Sequence, residues 1–263
     1  MSPHSHHQQN QPILDVSHLT VRYNGHVALE DITFHLHNGE RVAVVGPNGA
    51  GKSTLFKAVA GVIPPTSGEV NISGSRPRGH ICIGYIPQRS QVDWNFPVSV
   101  ADVVMMGRSA KLGPLNWPHK KDWDFVQHAL ETVELSNLAS RQISQLSGGQ
   151  QQRMFIARAL AQEAELMVMD EPLTGLDTPS QEGILNLLDR LKKENVSVMV
   201  ATHDLEQAAS HFDRILLLNH RLVAFGKPNE VLHTDTLIKA YGGRMRVEAG
   251  EAVLVDDCCP PEE

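Results

Sequence analysis

Two runs of alternating apolar and polar residues open the chain, "ILDVSHLTVRY" at 13–23 and "ALEDITFHL" at 28–36. A period of two belongs to a strand with one face in the core and one in water, so both are expected as half-buried edge strands. "RVAVVG" at 41–46 is instead a continuous apolar run, the pattern of a strand covered on both faces. A glycine-rich turn follows, and then helical spacing in "KSTLFKAVAGV". "GEVNIS" and "HICIGYI" supply two further strands.

From about Ser99 to Ala164 the period lengthens to that of a helix. "DWDFVQHALETVEL" and "QRMFIARALAQEA" carry their apolar residues at helical spacing, with Phe155, Ile156, Ala159 and Leu160 on one face. Beyond it strands and helices alternate: "LMVMD", "GILNLLDRLKK", "VSVMVAT", "LEQAASHF", "RILLLN", "LVAFG" and "NEVLHTDTLIKAYGG". Such alternation predicts a mainly parallel sheet with helices on both faces. The fold class is therefore α/β, one core with a helical insertion in the middle.

Composition changes this picture little. The chain has 263 residues, 41% hydrophobic and 20% charged, which suits a globular protein with at most two domains. A net charge of −7 argues against nucleic-acid binding through bulk positive charge. No apolar run approaches the roughly 18 residues that span a bilayer. The start, "MSPHSHHQQNQP", lacks the apolar centre of a signal peptide. Three cysteines, Cys82, Cys258 and Cys259, do not make a disulfide framework. Cys82 reads as a small core residue, and Cys258 and Cys259 as part of a polar, reduced tail or a metal site. His4, His6 and His7 read as a disordered tail or a metal-binding patch.

Candidate chemistry begins with "GPNGAGKST". Gly46, Pro47, Asn48, Gly49, Ala50 and Gly51 lead into Lys52, Ser53 and Thr54, between a buried strand and a helix. This is the phosphate-loop pattern in the context it requires. Glycines let backbone N–H groups converge on phosphate oxygens, and the helix N-terminus adds a favourable dipole end. Lys52 can reach the β- and γ-phosphates, and Ser53 can ligate Mg²⁺.

"LMVMDEP" ends an apolar strand in two acids. Adjacent side chains at a strand end point in different directions, so Asp170 can serve Mg²⁺ and Glu171 an attacking water as general base. A plain Asp-Glu turn before Pro172 is the bland alternative. "VSVMVATHD" brings His203 to the same sheet edge, where it can donate a hydrogen bond to a γ-phosphate. Asp204 is expected to cap the next helix, with Gln207 three residues on. "LSGGQ" admits two readings: Ser147 and Gln150 form a capping box, or Ser147, Gly148 and Gly149 form a second anion site.

Taken in order, "GPNGAGKST", "YIPQ", "LSGGQ", "LMVMDEP", "GLD" and "ATHD" resemble the ATP-binding subunits of ABC transporters, from about Ile13 to Gly243. The resemblance implies a P-loop NTPase core with a mainly parallel sheet, an N-terminal antiparallel β-subdomain and an inserted α-helical subdomain. It places a disordered tail at 1–11, an ATPase domain at 12–245 with its helical part at about 97–164, and a second tail at 246–263. It also implies two copies paired head to tail. Ser147, Gly148, Gly149 and Gln150 of one copy would then serve the nucleotide held by the other. Tyr23 matches an aromatic that stacks on adenine, Asp177 an acid at the dimer seam, and Gln88 a glutamine that senses Mg²⁺ and the γ-phosphate. The cofactors implied are ATP and Mg²⁺. The partners implied are a second ATP-binding subunit, an integral membrane permease and an extracytoplasmic metal-binding protein acting through it, at the cytoplasmic face of the membrane.

Soluble ABC-type ATPases are the competing class. The translation type carries two cassettes and the repair type a long coiled coil before the signature; this sequence has neither. "PQRSQVDWNFPVSVADVVMMGR" and "LIKAYGG" look most like subunits that import manganese or zinc, with iron-siderophore and haem importers as rivals. Ser99 and Asp102 read as a capping box. Trp94 and Phe96 read either as a docking surface for a permease helix or as packing beneath their loop.

Overall fold

The computed structural model describes residues 12–73, 83–112, 116–242, 245–248 and 251–254, with side chains through residue 242. Cys82, the cysteine pair and the N-terminal histidines lie outside the described residues.

Strands β1 (Leu14–Tyr23), β2 (His26–Leu36) and β4 (Ser67–Ile72) form an antiparallel sheet in the order β2-β1-β4. β1 is thus the central strand of its sheet rather than an edge. Its inward set shifts parity between Val16 and Leu19, and that of β2 between Leu29 and Ile32. A bulge causes each shift, with His18 (φ 51°) and Asp31 (φ 53°) in the left-handed region. The two bulges face each other, and His18 Nδ1 lies 2.7 Å from Asp31 Oδ1.

The second sheet runs β5-β6-β7-β3-β8-β9. β5 (Ile83–Ile86), β6 (Leu166–Asp170), β7 (Ser197–Ala201), β3 (Arg41–Val45) and β8 (Arg214–Asn219) are parallel; β9 (Arg221–Gly226) returns antiparallel. β3 shows why its run is continuous. Val42 and Val44 face the core shared with the antiparallel sheet and helix α1 (Lys52–Val59), while Ala43 and Val45 face the helical core. β6 splits the same way, Leu166 and Val168 on one side and Met167 and Met169 on the other. Each fully buried Val or Leu contributes about 1.5–3 kcal/mol, so the two cores together fix the sheet.

Between β5 and β6 lie α2 (Val100–Met106), α3 (Ser109–Leu112), α4 (Lys120–Thr132) and α5 (Gly148–Ala161). Ser99 and Asp102 close the expected capping box at α2, and Ser147 and Gln150 close another at α5. Arg108 pins this region together. It donates to Asp122 at the start of α4 (3.2 Å) and to the Ala161 carbonyl at the end of α5 (2.9 Å).

Helices α6 (Thr178–Lys193), α7 (Leu205–His211), α8 (Pro228–Val231) and α9 (Thr234–Tyr241) complete the core. At the start of the expected tail, β10 (Met245–Glu248) pairs antiparallel with β11 (Glu251–Leu254). No helix among the described residues is long and apolar enough to cross a membrane.

Candidate functional site

The phosphate loop runs from the end of β3 to the start of α1 and is pressed against the chain's own backbone. A Cβ on Gly46 would stand 2.0 Å from the Leu218 carbonyl oxygen. One on Gly51 would stand 2.7 Å from the Ala28 carbonyl, at a φ of 98° that already favours glycine. The loop is held by hydrogen bonds from the Ala50 N–H to the Pro47 carbonyl (3.1 Å) and from the His220 N–H to the Ala50 carbonyl (2.9 Å). Lys52 is buried, and its ammonium folds back to donate to the carbonyls of Gly46 (2.8 Å) and Pro47 (3.1 Å). Burial lowers the Lys52 pKa, against an opposing pull from Glu171 and Asp170.

Asp170 closes β6 and is 2% exposed. Burial pushes its pKa up, and a hydrogen bond from Ser53 pulls it back. Its Oδ2 is buried with no hydrogen-bond partner. A buried carboxylate oxygen in that condition is costly. Its hard oxygen, beside the Ser53 hydroxyl, suits Mg²⁺. Burial pushes the pKa of Tyr85 up to about 12, with a further push from Asp170.

Glu171 takes the next position with φ 50°, a left-handed conformation that a non-glycine residue adopts only under constraint. The Gln88 amide donates to Glu171 Oε2 at 2.9 Å. Glu171 and His203, from the ends of β6 and β7, line one cleft of about 140 Å³ with Thr174, Thr202 and Gln207. Asp204 caps α7 through the Gln207 N–H (2.8 Å), while the Gln207 side chain turns to Gln181 instead of closing a box.

Lys52, Ser53, Gln88, Asp170, Glu171 and His203 thus gather at the C-terminal edge of the parallel sheet, where open α/β sheets place ligands. Tyr23 stands 44% exposed at the end of β1. The 147–150 segment shares no hydrogen bond with 46–54 among the described residues; the Ser147 side chain accepts from the Gln150 N–H in its own capping box, and the Ser147 carbonyl accepts from the Gln151 N–H at 2.9 Å. Asp177 stands at the N-cap position of α6, and a hydrogen bond from the Ser180 side chain holds its carboxyl below the usual range.

The two glycines of "LSGGQ" have an intrachain reason that the sequence did not disclose. A Cβ on Gly149 would meet Ser180 Oγ at 2.7 Å, and one on Gly148 would meet Leu176 Cδ2 at 2.8 Å and Arg89 Nη1 at 2.9 Å. The helix start is packed tightly on its inner side whatever its outer side meets. Trp94 and Phe96 likewise separate. Trp94 lies edge-on to Phe155 at 5.7 Å and donates to the Arg89 carbonyl at 3.1 Å. Phe96 is 55% exposed. The packing reading fits Trp94, which is partly buried against the helical core with its N–H satisfied.

A model of the ABC transporter family matches residues 29–174 of this chain. The chain belongs to that family. Among its ABC relatives, the manganese transport system ATP-binding protein MntB of Bacillus subtilis is 45% identical over 88% of this chain and 93% of its own length. The zinc transport system ATP-binding protein TroB of Treponema pallidum is 44% identical over 88% of both. The chelated iron transport system membrane protein YfeB of Yersinia pestis is 42% identical over 95% of this chain and 86% of its own. Among solved structures, a metal-chelate type ABC transporter in an inward-facing conformation superposes with a TM-score of 0.79 at 30% identity, covering 92% of this chain and 96% of that one. The ABC protein described here is accordingly an ATP-binding ATPase.

Proposed function

We propose that this chain is the ATP-hydrolysing motor subunit of a manganese or zinc importer, acting as a homodimer beneath a separate membrane permease. Its place would be the cytoplasmic face of the membrane, with a metal-binding protein delivering cargo on the other side. The observation that supports the cargo most is the identity shared with manganese and zinc subunits along nearly the whole chain.

The chemistry follows from the gathered side chains. The glycine cradle and Lys52 bind the phosphates, the ammonium leaving the Gly46 and Pro47 carbonyls for β- and γ-oxygens. Ser53, Gln88 and Asp170 would hold Mg²⁺, which when bound neutralises phosphate charge. Glu171 takes a proton from the attacking water onto its carboxylate. Gln88 orients that carboxylate by the hydrogen bond already formed. His203 donates to the γ-phosphate from the neighbouring strand end. Tyr23 stacks on adenine, while Ser147, Gly148, Gly149, Gln150 and Asp177 face the nucleotide of the second copy. Phe96, exposed on the loop between β5 and α2, contacts the permease.

Uptake by the reconstituted transporter, with Mn²⁺, Zn²⁺ and Fe²⁺ in competition, tests the assignment. ATP-dependent accumulation of Mn²⁺ or Zn²⁺ that resists excess Fe²⁺ is the expected result. Uptake of iron alone would overturn the cargo.

A further inference from the structure

Arg89 directly follows Gln88, and no step above uses it. Its side chain leaves the β5 segment and reaches the first turn of α5, where Nε donates to Gln151 Oε1 at 2.7 Å. Gln151 is 4% exposed, so this is a bond to a buried amide. The same guanidinium lies against Gly148, with Nη1 2.9 Å from where a Cβ would stand. The Arg89 backbone is itself fixed, because its carbonyl accepts from the Trp94 indole.

This contact is the first of four along one face of α5. Gln151, Phe155, Arg158 and Gln162 are spaced four, three and four apart, so they line one helix face. Phe155 packs on Trp94, Arg158 donates to the Tyr85 carbonyl (2.9 Å), and Gln162 donates to the Ile83 carbonyl (2.9 Å). The lower three hold α5 to β5 and its loop. Of these four, the Arg89–Gln151 rung is the one that joins Gln88, bonded to Glu171, to the helix turn that carries Ser147 and Gly148.

We propose that Arg89 is a positioning residue that couples Gln88 to the start of α5, so that the state of one copy's phosphate site sets how Ser147, Gly148 and Gly149 meet the other copy's nucleotide. The inference rests on the paired reading above. It assigns the coupling to a single side chain, which makes it separable from that reading.

The test uses the full chain in a Glu171→Gln background, with two readouts: single-chain affinity for a fluorescent ATP analogue, and ATP-induced pairing by light scattering. Arg89→Ala is expected to leave single-chain affinity within about twofold and to weaken pairing about tenfold, the scale of one charge-assisted hydrogen bond. Gln151→Ala should do the same, and the double variant no more than either alone. Gln151→Glu keeps an acceptor for Arg89 and should pair like the parent. Arg89→Lys keeps the charge but not the planar fork and should stay impaired, which carries the test if Arg89→Ala does not fold. Unchanged pairing in Arg89→Ala, full recovery in Arg89→Lys, or losses that multiply in the double variant would each overturn the coupling. If the Glu171→Gln chain with Arg89 intact fails to pair on ATP, the paired reading itself is wrong and this inference falls with it.

Discussion

The two glycine-rich helix starts look alike in sequence and differ in what surrounds them. Around the phosphate loop each absent Cβ would meet a backbone carbonyl, of Leu218 at Gly46 and of Ala28 at Gly51, the latter beside the Leu29 side chain. Carbonyls of paired strands cannot move aside. Around Gly148 and Gly149 the neighbours are side chains, of Leu176, Arg89 and Ser180, which can give way. The first loop is a cradle built by the whole sheet. The second is a helix start packed on its inner side by side chains of the same chain. Two similar motifs therefore fail in different ways when a methyl group is added.

The largest effect is expected at Gly46→Ala. A methyl 2.0 Å from a carbonyl oxygen forces the loop to shift, and ATP binding measured by fluorescence titration should be lost, with at least about 1–3 kcal/mol of stability. Gly149→Ala should instead keep single-chain ATP affinity and weaken ATP-induced pairing about tenfold, the scale of a clash that side chains can relieve. Equal loss of single-chain affinity in the two variants would erase the distinction.

A smaller contrast separates the aromatics of "DWNF". Trp94→Ala removes a ring packed on Phe155 and a hydrogen bond, and should lower stability by about 2–4 kcal/mol in denaturant melts. Phe96→Ala should stay within about 0.5 kcal/mol of the parent yet impair coupled uptake. A Phe96→Ala chain that supports full uptake would remove Phe96 from the permease contact.

Most of the sheet was legible because burial writes itself into sequence: "RVAVV" and "LMVM" are continuous apolar runs with both faces covered. The motif residues were legible for the same local reason, since a phosphate loop needs its glycines and lysine in fixed spacing. What escaped was longer in range. The bulges at His18 and Asp31 keep an alternating pattern while shifting its phase, so nothing local marks β1 as central. The division of Trp94 from Phe96 depends on where Phe155 lies, about sixty residues away in sequence, and spacing alone left both readings open. Arg89 carried no signal beyond standing after Gln88, because its partner Gln151 lies in a helix whose approach only the fold determines. The strained φ of Glu171 is likewise a property of the folded strand end.

Glu171, held by Gln88 just beyond the end of β6, is the proposed base for ATP hydrolysis. Turnover and ATP affinity of Glu171→Gln, measured on the same preparation, test it most directly. Parent-like affinity with turnover lowered about 10²–10⁴-fold, the usual worth of a general base, is the expected result. Turnover near that of the parent would contradict it.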